Sequence, residues 1–195
     1  AGHPGFELVV ATGESMAGQR VADLYPSLEL AYPDLRFEHV GHDVAEGLDV
    51  AFLGLPHEAS MALVPSLVGS VGCVVDLSAA FRLKDAAAYP RFYGFEHDQP
   101  TLLAEAVFGL PELHRAQLKG AQLVATPGCH VTAATLALRP LVEAGLVRTT
   151  GVIVNTLTGI TGAGRVPTDT NVFTNIDSNA VAYGLLDHRH TPEME

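Results

Sequence analysis

DVAFLGLPHEASMALVPSLVGSVGCVVDL, residues 49–77, decides the fold. Asp49 to Leu55 is apolar almost without a break, which suits a strand covered on both faces in a parallel sheet. His57 to Val68 then follows a helical period, with Ala59, Leu63 and Leu67 on one face. Gly72 to Leu77 repeats the apolar run, so strand, helix and strand follow one another with short connections.

Working outward, Phe6 to Ala11 reads as an earlier strand, because Pro4 and Gly5 stop the chain just before a β-branched apolar run. Thr12 to Gly18 is the loop after it. Downstream, Phe81 to Phe95 is irregular and rich in aromatics, and Leu118 to Ala125 leads into a strand that ends at Thr126-Pro127-Gly128. Cys129 to Gly145 predicts a helix with Gly145 as its C-terminal stop. Gly151 to Thr156 predicts a further strand, and from Thr158 the composition shifts to Gly, Thr and Asn, the mark of a functional loop or a domain junction. The alternation predicts an α/β fold built on a doubly wound parallel sheet, in which ligands gather at the carboxyl ends of the strands.

With 195 residues, 48% of them hydrophobic and 17% charged, the chain can form one domain and a portion of a second. A net charge of -11 with only 11 Lys plus Arg leaves no basic face for nucleic acid. Cys73 and Cys129 stand in unlike settings, so a disulfide framework is not expected and the chain reads as cytosolic. The longest apolar candidate, Val64 to Leu77, is interrupted by Pro65, Ser66, Gly69, Ser70, Gly72 and Asp76, so no membrane span is predicted. The opening from Ala1 lacks a basic region followed by an apolar one and reads as a mid-domain start, with no signal peptide.

Four segments carry candidate chemistry. In Thr126-Pro127-Gly128-Cys129-His130-Val131-Thr132 a strand end and a Pro-Gly turn place Cys129 in the first turn of a helix. Unpaired backbone N–H groups and the positive helix end favour thiolate there, and they can also stabilise an oxyanion; a small residue capping a helix would look the same. His188-Arg189-His190-Thr191-Pro192-Glu193 offers an acid/base imidazole beside a fixed cation, or a polar surface loop, and its spacing matches no metal motif. Gly159, Gly162 and Gly164 among Thr158, Ile160, Thr161 and Ala163 allow close backbone approach to a ligand, with Arg165 able to meet an anion; a flexible loop is the alternative. In Asp76-Leu77-Ser78-Ala79-Ala80-Phe81-Arg82-Leu83 a strand's carboxyl end meets Ser78 and Arg82, the latter either a ligand-binding cation or half of a surface ion pair.

Seven motifs in order bear on identity: LPHEAS at Leu55–Ser60, DLSAAFRL at Asp76–Leu83, YGFEH at Tyr93–His97, GLPEL at Gly109–Leu113, PGCHVTA at Pro127–Ala133, TGAGR at Thr161–Arg165 and HRHTPE at His188–Glu193. Together the chain resembles the N-acetyl-gamma-glutamyl-phosphate reductase family of the aspartate-semialdehyde dehydrogenase-like superfamily. The resemblance implies an incomplete Rossmann-like dinucleotide-binding domain over residues 1–128, without its first strand and Gly-rich turn. It implies the truncated start of an α+β, glyceraldehyde-3-phosphate dehydrogenase-like catalytic domain over 129–195, so that the chain is a fragment.

It further implies NADPH-dependent reduction of an N-acetylglutamyl phosphate to the semialdehyde, in arginine biosynthesis, through a thioester on Cys129. His190, or failing it His188, would move the proton. Arg82 and Arg189 would hold the substrate's phosphate and carboxylate, with Ser78 assisting. Thr12, Ser15, Pro56, Gly159, Gly162 and Ala163 would meet the cofactor, and a homo-oligomer is implied. Two positions depart from the family pattern. Glu14 stands where many members carry a basic residue for the extra phosphate of NADP, and its carboxylate suits a ribose hydroxyl, which makes NAD an alternative. His130 follows the nucleophile where relatives often have tyrosine or asparagine. A related reductase acting on a longer acyl phosphate in lysine synthesis, and a non-catalytic fragment, stay open as other readings.

Overall fold

The fold was obtained as a computed structural model, which describes residues 2–41, 43–164 and 166–195. Its strands are β1 (Ala11–Thr12), β2 (Phe37–Glu38), β3 (Val50–Leu53), β4 (Cys73–Asp76), β5 (Val107–Phe108) and β6 (Leu123–Ala125). Its α-helices are α1 (Val21–Leu24), α2 (His57–Leu67), α3 (Tyr89–Tyr93), α4 (Pro100–Glu105), α5 (Pro111–Leu118), α6 (Cys129–Glu143), α7 (Phe173–Ile176) and α8 (Thr191–Met194).

β3, β4, β6 and β5 lie side by side in that order, all parallel. The register sets Leu53 beside Asp76, Asp76 beside Ala125, and Ala125 beside Phe108. That row is the carboxyl edge of the sheet. The loops leading to Pro56, Ser78 and Cys129 therefore start from neighbouring points, although the residues are far apart in sequence.

The β3–α2–β4 unit forms in the predicted order, but β3 is not covered on both faces, because it is an edge strand and Phe52 is 62% exposed. Val64 and Leu67 of α2, Val74 of β4 and Leu123 of β6 are almost fully buried and pack with Phe81, Tyr89 and Leu103 in one core. Each such side chain contributes roughly 1.5–3 kcal/mol by leaving water. The buried face of α2 is nevertheless Ser60, Val64 and Leu67, with Ala59 exposed and Leu63 only partly covered. The hydroxyl of Ser60, bonded to Asp76 Oδ1 at 2.6 Å, turns the helix away from the face that apolar spacing alone selects.

Phe81 to Phe95 is more regular than its composition suggests, since it contains α3, closed by Gly94 at φ 78°. Polar side chains fasten the rest of it. The Tyr89 hydroxyl accepts from Leu83 N at 3.1 Å, and His97 Nε2 donates to Ala80 O at 2.7 Å while its Nδ1 accepts from Gln99 N at 3.3 Å. Lys84 Nζ donates to the carbonyls of Leu103 and Ala104 at 3.1 and 3.0 Å, and also to Ala106 O, closing the C-terminal end of α4.

Helix α6 begins at Cys129, as the sequence predicts, and ends two residues before Gly145, whose φ of 67° lets the chain reverse. Two expected strands differ. From Phe6 to Ala11 only Ala11 joins a ladder, in β1, which pairs with β2 as a separate two-stranded ribbon. Phe6, Leu8 and Val9 are 58%, 40% and 51% exposed. Residues 151–156 form no strand, and Ile153 is 84% exposed. In both cases β-propensity is present, but no neighbouring strand meets the backbone N–H and C=O groups among the described residues, and a strand needs that partner.

A backbone packing constraint lies at the entry to β4. A Cβ on Gly72 would stand 2.6 Å from Asp49 O, a backbone atom that cannot swing aside. Gly72→Ala is expected to lower stability by about 1–3 kcal/mol in urea denaturation, as overpacking does; an unchanged midpoint would mean that the β3 and β4 entries are not in contact.

Candidate active site

Backbone geometry at the end of β6 sets the site. Thr126 N donates to Asp76 O at 2.9 Å, and the chain then turns through Pro127 and Gly128 into α6. Cys129 opens that 15-residue helix with its side chain exposed. Gly128 O accepts from Thr132 N at 2.9 Å and from Thr132 Oγ1 at 3.1 Å, while the first N–H groups of the helix have no acceptor within it. A nucleophile at this position stands beside donors suited to an oxyanion.

The imidazole of His190 rests on this turn. A Cβ on Gly128 would lie 2.5 Å from both Cε1 and Nε2 of His190, so only glycine admits the ring. Burial pushes His190 down to about 4, with Glu193 opposing the shift and His188, Arg82 and Arg189 adding to it. The ring is therefore neutral at pH 7 and able to take a proton. His188 Nδ1 accepts from His190 N at 3.1 Å, which leaves its proton on Nε2. Burial lowers His188 as well, assisted by His130 and Arg189 and opposed by Glu193. The His188 and His190 ring centroids are 4.7 Å apart.

His130, for which the sequence offers no account, has one here. Its Nδ1 bonds Thr156 Oγ1 at 2.6 Å and its Nε2 bonds the Tyr183 hydroxyl at 2.7 Å. The first turn of α6 is thereby tied to the otherwise exposed segments around 156 and 183.

Asp76, fully buried at the end of β4, organises the next loop. Its Oδ1 accepts from Ser60 Oγ at 2.6 Å and Ser78 N at 2.9 Å, and its Oδ2 accepts from Ser78 Oγ at 2.8 Å. Ser78 Oγ also accepts from Ala80 N at 3.0 Å, so this hydroxyl is committed to the loop itself. Ala79 N donates to His57 Nδ1 at 3.0 Å, which fixes that ring beside the site. Burial lowers His57, as do Arg189 and Arg82, against Asp76 and Glu193.

Arg82 leaves the same loop and meets Glu193. Nη1 lies 3.1 Å from Glu193 Oε1 and Nη2 donates to Leu77 O at 3.0 Å, while Nε is buried with no hydrogen-bond partner among the described residues. Tyr93 donates its hydroxyl to Glu193 Oε1, and Gly128 N donates to Oε2 at 2.9 Å. Burial and the Glu193 charge both raise Tyr93.

Of the residues singled out from sequence, the structure thus gathers Cys129, His188, His190, Ser78 and Arg82 around the carboxyl edge, with Pro56 at the start of α2. Arg189 is exposed and meets no carboxylate among the described residues. Thr12 and Ser15 lie elsewhere, at the ribbon, where Glu14 accepts from Val40 N at 3.2 Å and meets His39 Nδ1 at 3.3 Å. Gly159, Gly162 and Ala163 border or lie in an exposed 3-10 turn whose described bonds are internal, such as Gly162 N to Gly159 O at 3.0 Å. Arg165 lies outside the described residues. Sequence reasoning gave no role to Glu193, Tyr93, His57 or Asp76; the i,i+3 spacing of His190 and Glu193 is the signal that could have exposed the first. Among the described residues, no group of three or more His, Cys, Asp or Glu is arranged to hold a metal, and no helix is long and apolar enough to cross a membrane.

Comparison with known proteins adds the following. Residues 1–121 match the family model described as semialdehyde dehydrogenase, NAD binding domain, and residues 129–195 match semialdehyde dehydrogenase, dimerisation domain. Proteins named N-acetyl-gamma-glutamyl-phosphate reductase are 44% identical in Symbiobacterium thermophilum, over 100% of this chain and 56% of the relative, and 44% identical in Dehalococcoides mccartyi, over 98% and 54%. The Geobacter sulfurreducens protein of that name is 43% identical over 99% and 56%. This chain spans about half the length of these curated relatives. Among solved structures, aspartate semialdehyde dehydrogenase II from Vibrio cholerae aligns with 56% of this chain and 31% of its own at 18% identity and a TM-score of 0.37, a likeness from which nothing is inferred.

Gly128→Ala should push the His190 ring off the turn and into water, raising its midpoint from about 4 toward the ordinary 6.5 in an NMR titration. An unmoved midpoint would place the ring elsewhere. Because the folded value lies below the unfolded one, neutral His190 contributes stability above pH 6.5 that is lost as pH falls through about 4. His190→Gln should therefore flatten the decline of the melting temperature across that window, and a decline as steep as in the parent chain would contradict this.

Proposed function

Because the chain belongs to the semialdehyde dehydrogenase family, we propose that it carries the nucleophile of an aldehyde-forming acyl-phosphate reductase, acting on N-acetyl-gamma-glutamyl phosphate in arginine biosynthesis. One observation carries the reading: a neutral, buried imidazole, His190, lies against the glycine that precedes an exposed cysteine at a helix start.

In this reading the Cys129 sulfur attacks the acyl carbon, the bond to the phosphate oxygen breaks, and phosphate departs with the electron pair to leave a thioester. His190 takes the thiol proton and returns it to the departing phosphate, with His188 as the alternative acid/base group. The free N–H groups at the start of α6 face the oxyanion of the tetrahedral intermediate. Collapse after reduction expels the Cys129 thiolate and frees the aldehyde. Arg189 offers its charge to the substrate's phosphate or carboxylate from between the two histidines.

A nicotinamide dinucleotide, when bound, supplies the hydride that reduces the thioester carbonyl. The residues present fit such a group, because Thr12 ends one parallel strand with Glu14 and Ser15 after it, Pro56 follows another, and a Cβ at Gly54 would meet nothing within 4 Å, leaving the approach open. The 159–163 turn, with Gly159, Gly162 and Ala163, is assigned to the nicotinamide side. The resemblance favours NADPH; Glu14, whose carboxylate suits a ribose hydroxyl and repels a 2′-phosphate, favours NADH as the second reading. The match to a dimerisation domain supports assembly with further copies.

The acylation half-reaction tests this without any reductant. Incubated with N-acetylglutamyl phosphate, the chain should gain an N-acetylglutamyl adduct at Cys129 by peptide mass spectrometry, absent from Cys129→Ser and not formed from aspartyl phosphate. A folded protein that gains no adduct would refute the thioester mechanism.

A further inference from the structure

His57 carries a donor that the fold has oriented and left unused. It is the first residue of α2, shortly after the end of β3, where Leu77 N donates to Leu53 O at 3.0 Å and holds the β3 and β4 ends together. Its Nδ1 accepts from Ala79 N at 3.0 Å. A backbone amide can only donate, so Nδ1 bears no proton and the neutral ring has its N–H at Nε2. The ring is held in place from two sides: Tyr93 meets it edge-on with centroids 5.6 Å apart, and Phe95 stacks on it at 6.3 Å. Nε2 has no hydrogen-bond partner among the described residues and is not sealed from solvent. The structural task of this side chain, fastening Ala79, is thus complete at Nδ1.

The charges around the ring narrow what Nε2 can meet. Burial disfavours the imidazolium, Arg189 and Arg82 add to this, and Asp76 and Glu193 oppose it. Both carboxylates are already spent on donors, Asp76 on Ser60 and Ser78, Glu193 on Arg82, Tyr93 and Gly128 N. His57 is therefore an uncharged donor at neutral pH, in a field that favours negative charge on whatever accepts from it. A ligand N–H or hydroxyl hydrogen would face Nε2–H with no lone pair to receive it. The geometry points to His57 Nε2–H as a hydrogen-bond donor to a phosphate oxygen of a ligand held at the carboxyl ends of β3 and β4. The proposal rests on the acyl-phosphate reductase reading for the two molecules that carry such an oxygen, the acyl phosphate and the nicotinamide dinucleotide. A neutral donor suits either, because it holds the oxygen without adding a charge to the ring.

Histidine side-chain NMR of the full chain tests it, with inorganic phosphate and NADH as the probes and the His57 signal identified by its loss in His57→Gln. A phosphate oxygen accepting from Nε2–H should move that signal and raise the His57 titration midpoint. If NADH does the same and displaces phosphate, the oxygen belongs to the dinucleotide; if phosphate acts and NADH neither moves the signal nor displaces it, the oxygen belongs to the acyl phosphate. A His57 signal moved by neither probe at millimolar concentration would overturn the proposal. Two variants separate binding from structure. Asn keeps an acceptor near the place of Nδ1 but has nothing at the reach of Nε2, whereas Gln places an amide N–H near Nε2. His57→Asn should weaken the effective probe by roughly tenfold or more, read from the amide shifts of residues 77–80, the scale of one hydrogen bond to a charged group. His57→Gln should keep most of the affinity while speeding hydrogen exchange at the Ala79 amide. The reverse pattern, with binding kept in Asn and lost in Gln, would leave His57 a purely structural role. Should His57→Asn fail to fold, His57→Gln decides alone, because loss of binding in it contradicts a donor at Nε2. Neither probe carries an acyl group, so these outcomes stand apart from whether Cys129 forms a thioester.

Discussion

A carboxylate leaves water only where donors meet both of its oxygens, and Glu193 finds them on segments of the chain remote from one another in sequence. Arg82 comes from the loop after β4, Tyr93 from α3, and Gly128 from the turn before α6. The short helix that carries Glu193 is too brief to hold itself by packing alone, so these polar contacts fasten it against the sheet. His190, in the residue before that helix, is brought onto Gly128 as a result. The cysteine, the imidazole and the loop cation acquire their mutual arrangement from one buried charge.

Asp76 has a comparable role at the sheet itself. It is buried at the end of β4, where the hydroxyl of Ser60 reaches it from α2 and Ser78 closes a tight turn on it. That turn presents Ala79 N to His57, and a few residues later it delivers Arg82 to Glu193. The parallel register explains why both carboxylates act at the same edge: Asp76 is aligned with Ala125, three residues before Gly128. Local chemistry at a strand's end is thus converted into a site shared by several loops.

The sequence made some of this legible and concealed the rest for identifiable reasons. Continuous apolar runs at 50–53 and 73–76 and the helical spacing between them announce a parallel unit, although they overstate its cover, since β3 lies at the sheet edge with Phe52 62% exposed and β4 is fully buried only at alternate residues. Cys129 after Pro-Gly announces the helix start. Phe6 to Val9 and residues 151–156 carry equally good strand composition, yet they remain exposed, since a strand exists only by pairing and composition does not state the partner. The buried face of α2 departs from the apolar spacing for a related reason: Ser60 enters the core because Asp76, sixteen positions away, holds it there.

By itself the sequence determined the parallel α/β class, the placement of Cys129 in the first turn of a helix and the set of motifs that mark the family, because each of these depends on neighbours within a few residues or on an order of short segments. Only the tertiary structure decided that Arg82 faces Glu193, that Ser78 turns inward to Asp76, that His130 spans Thr156 and Tyr183, and that His190 rests on Gly128. Those are contacts between residues up to 111 positions apart. A charge or an imidazole reads the same in sequence whether it meets solvent or a buried partner, and burial, which decides its protonation and its availability to substrate, is a property of the fold alone.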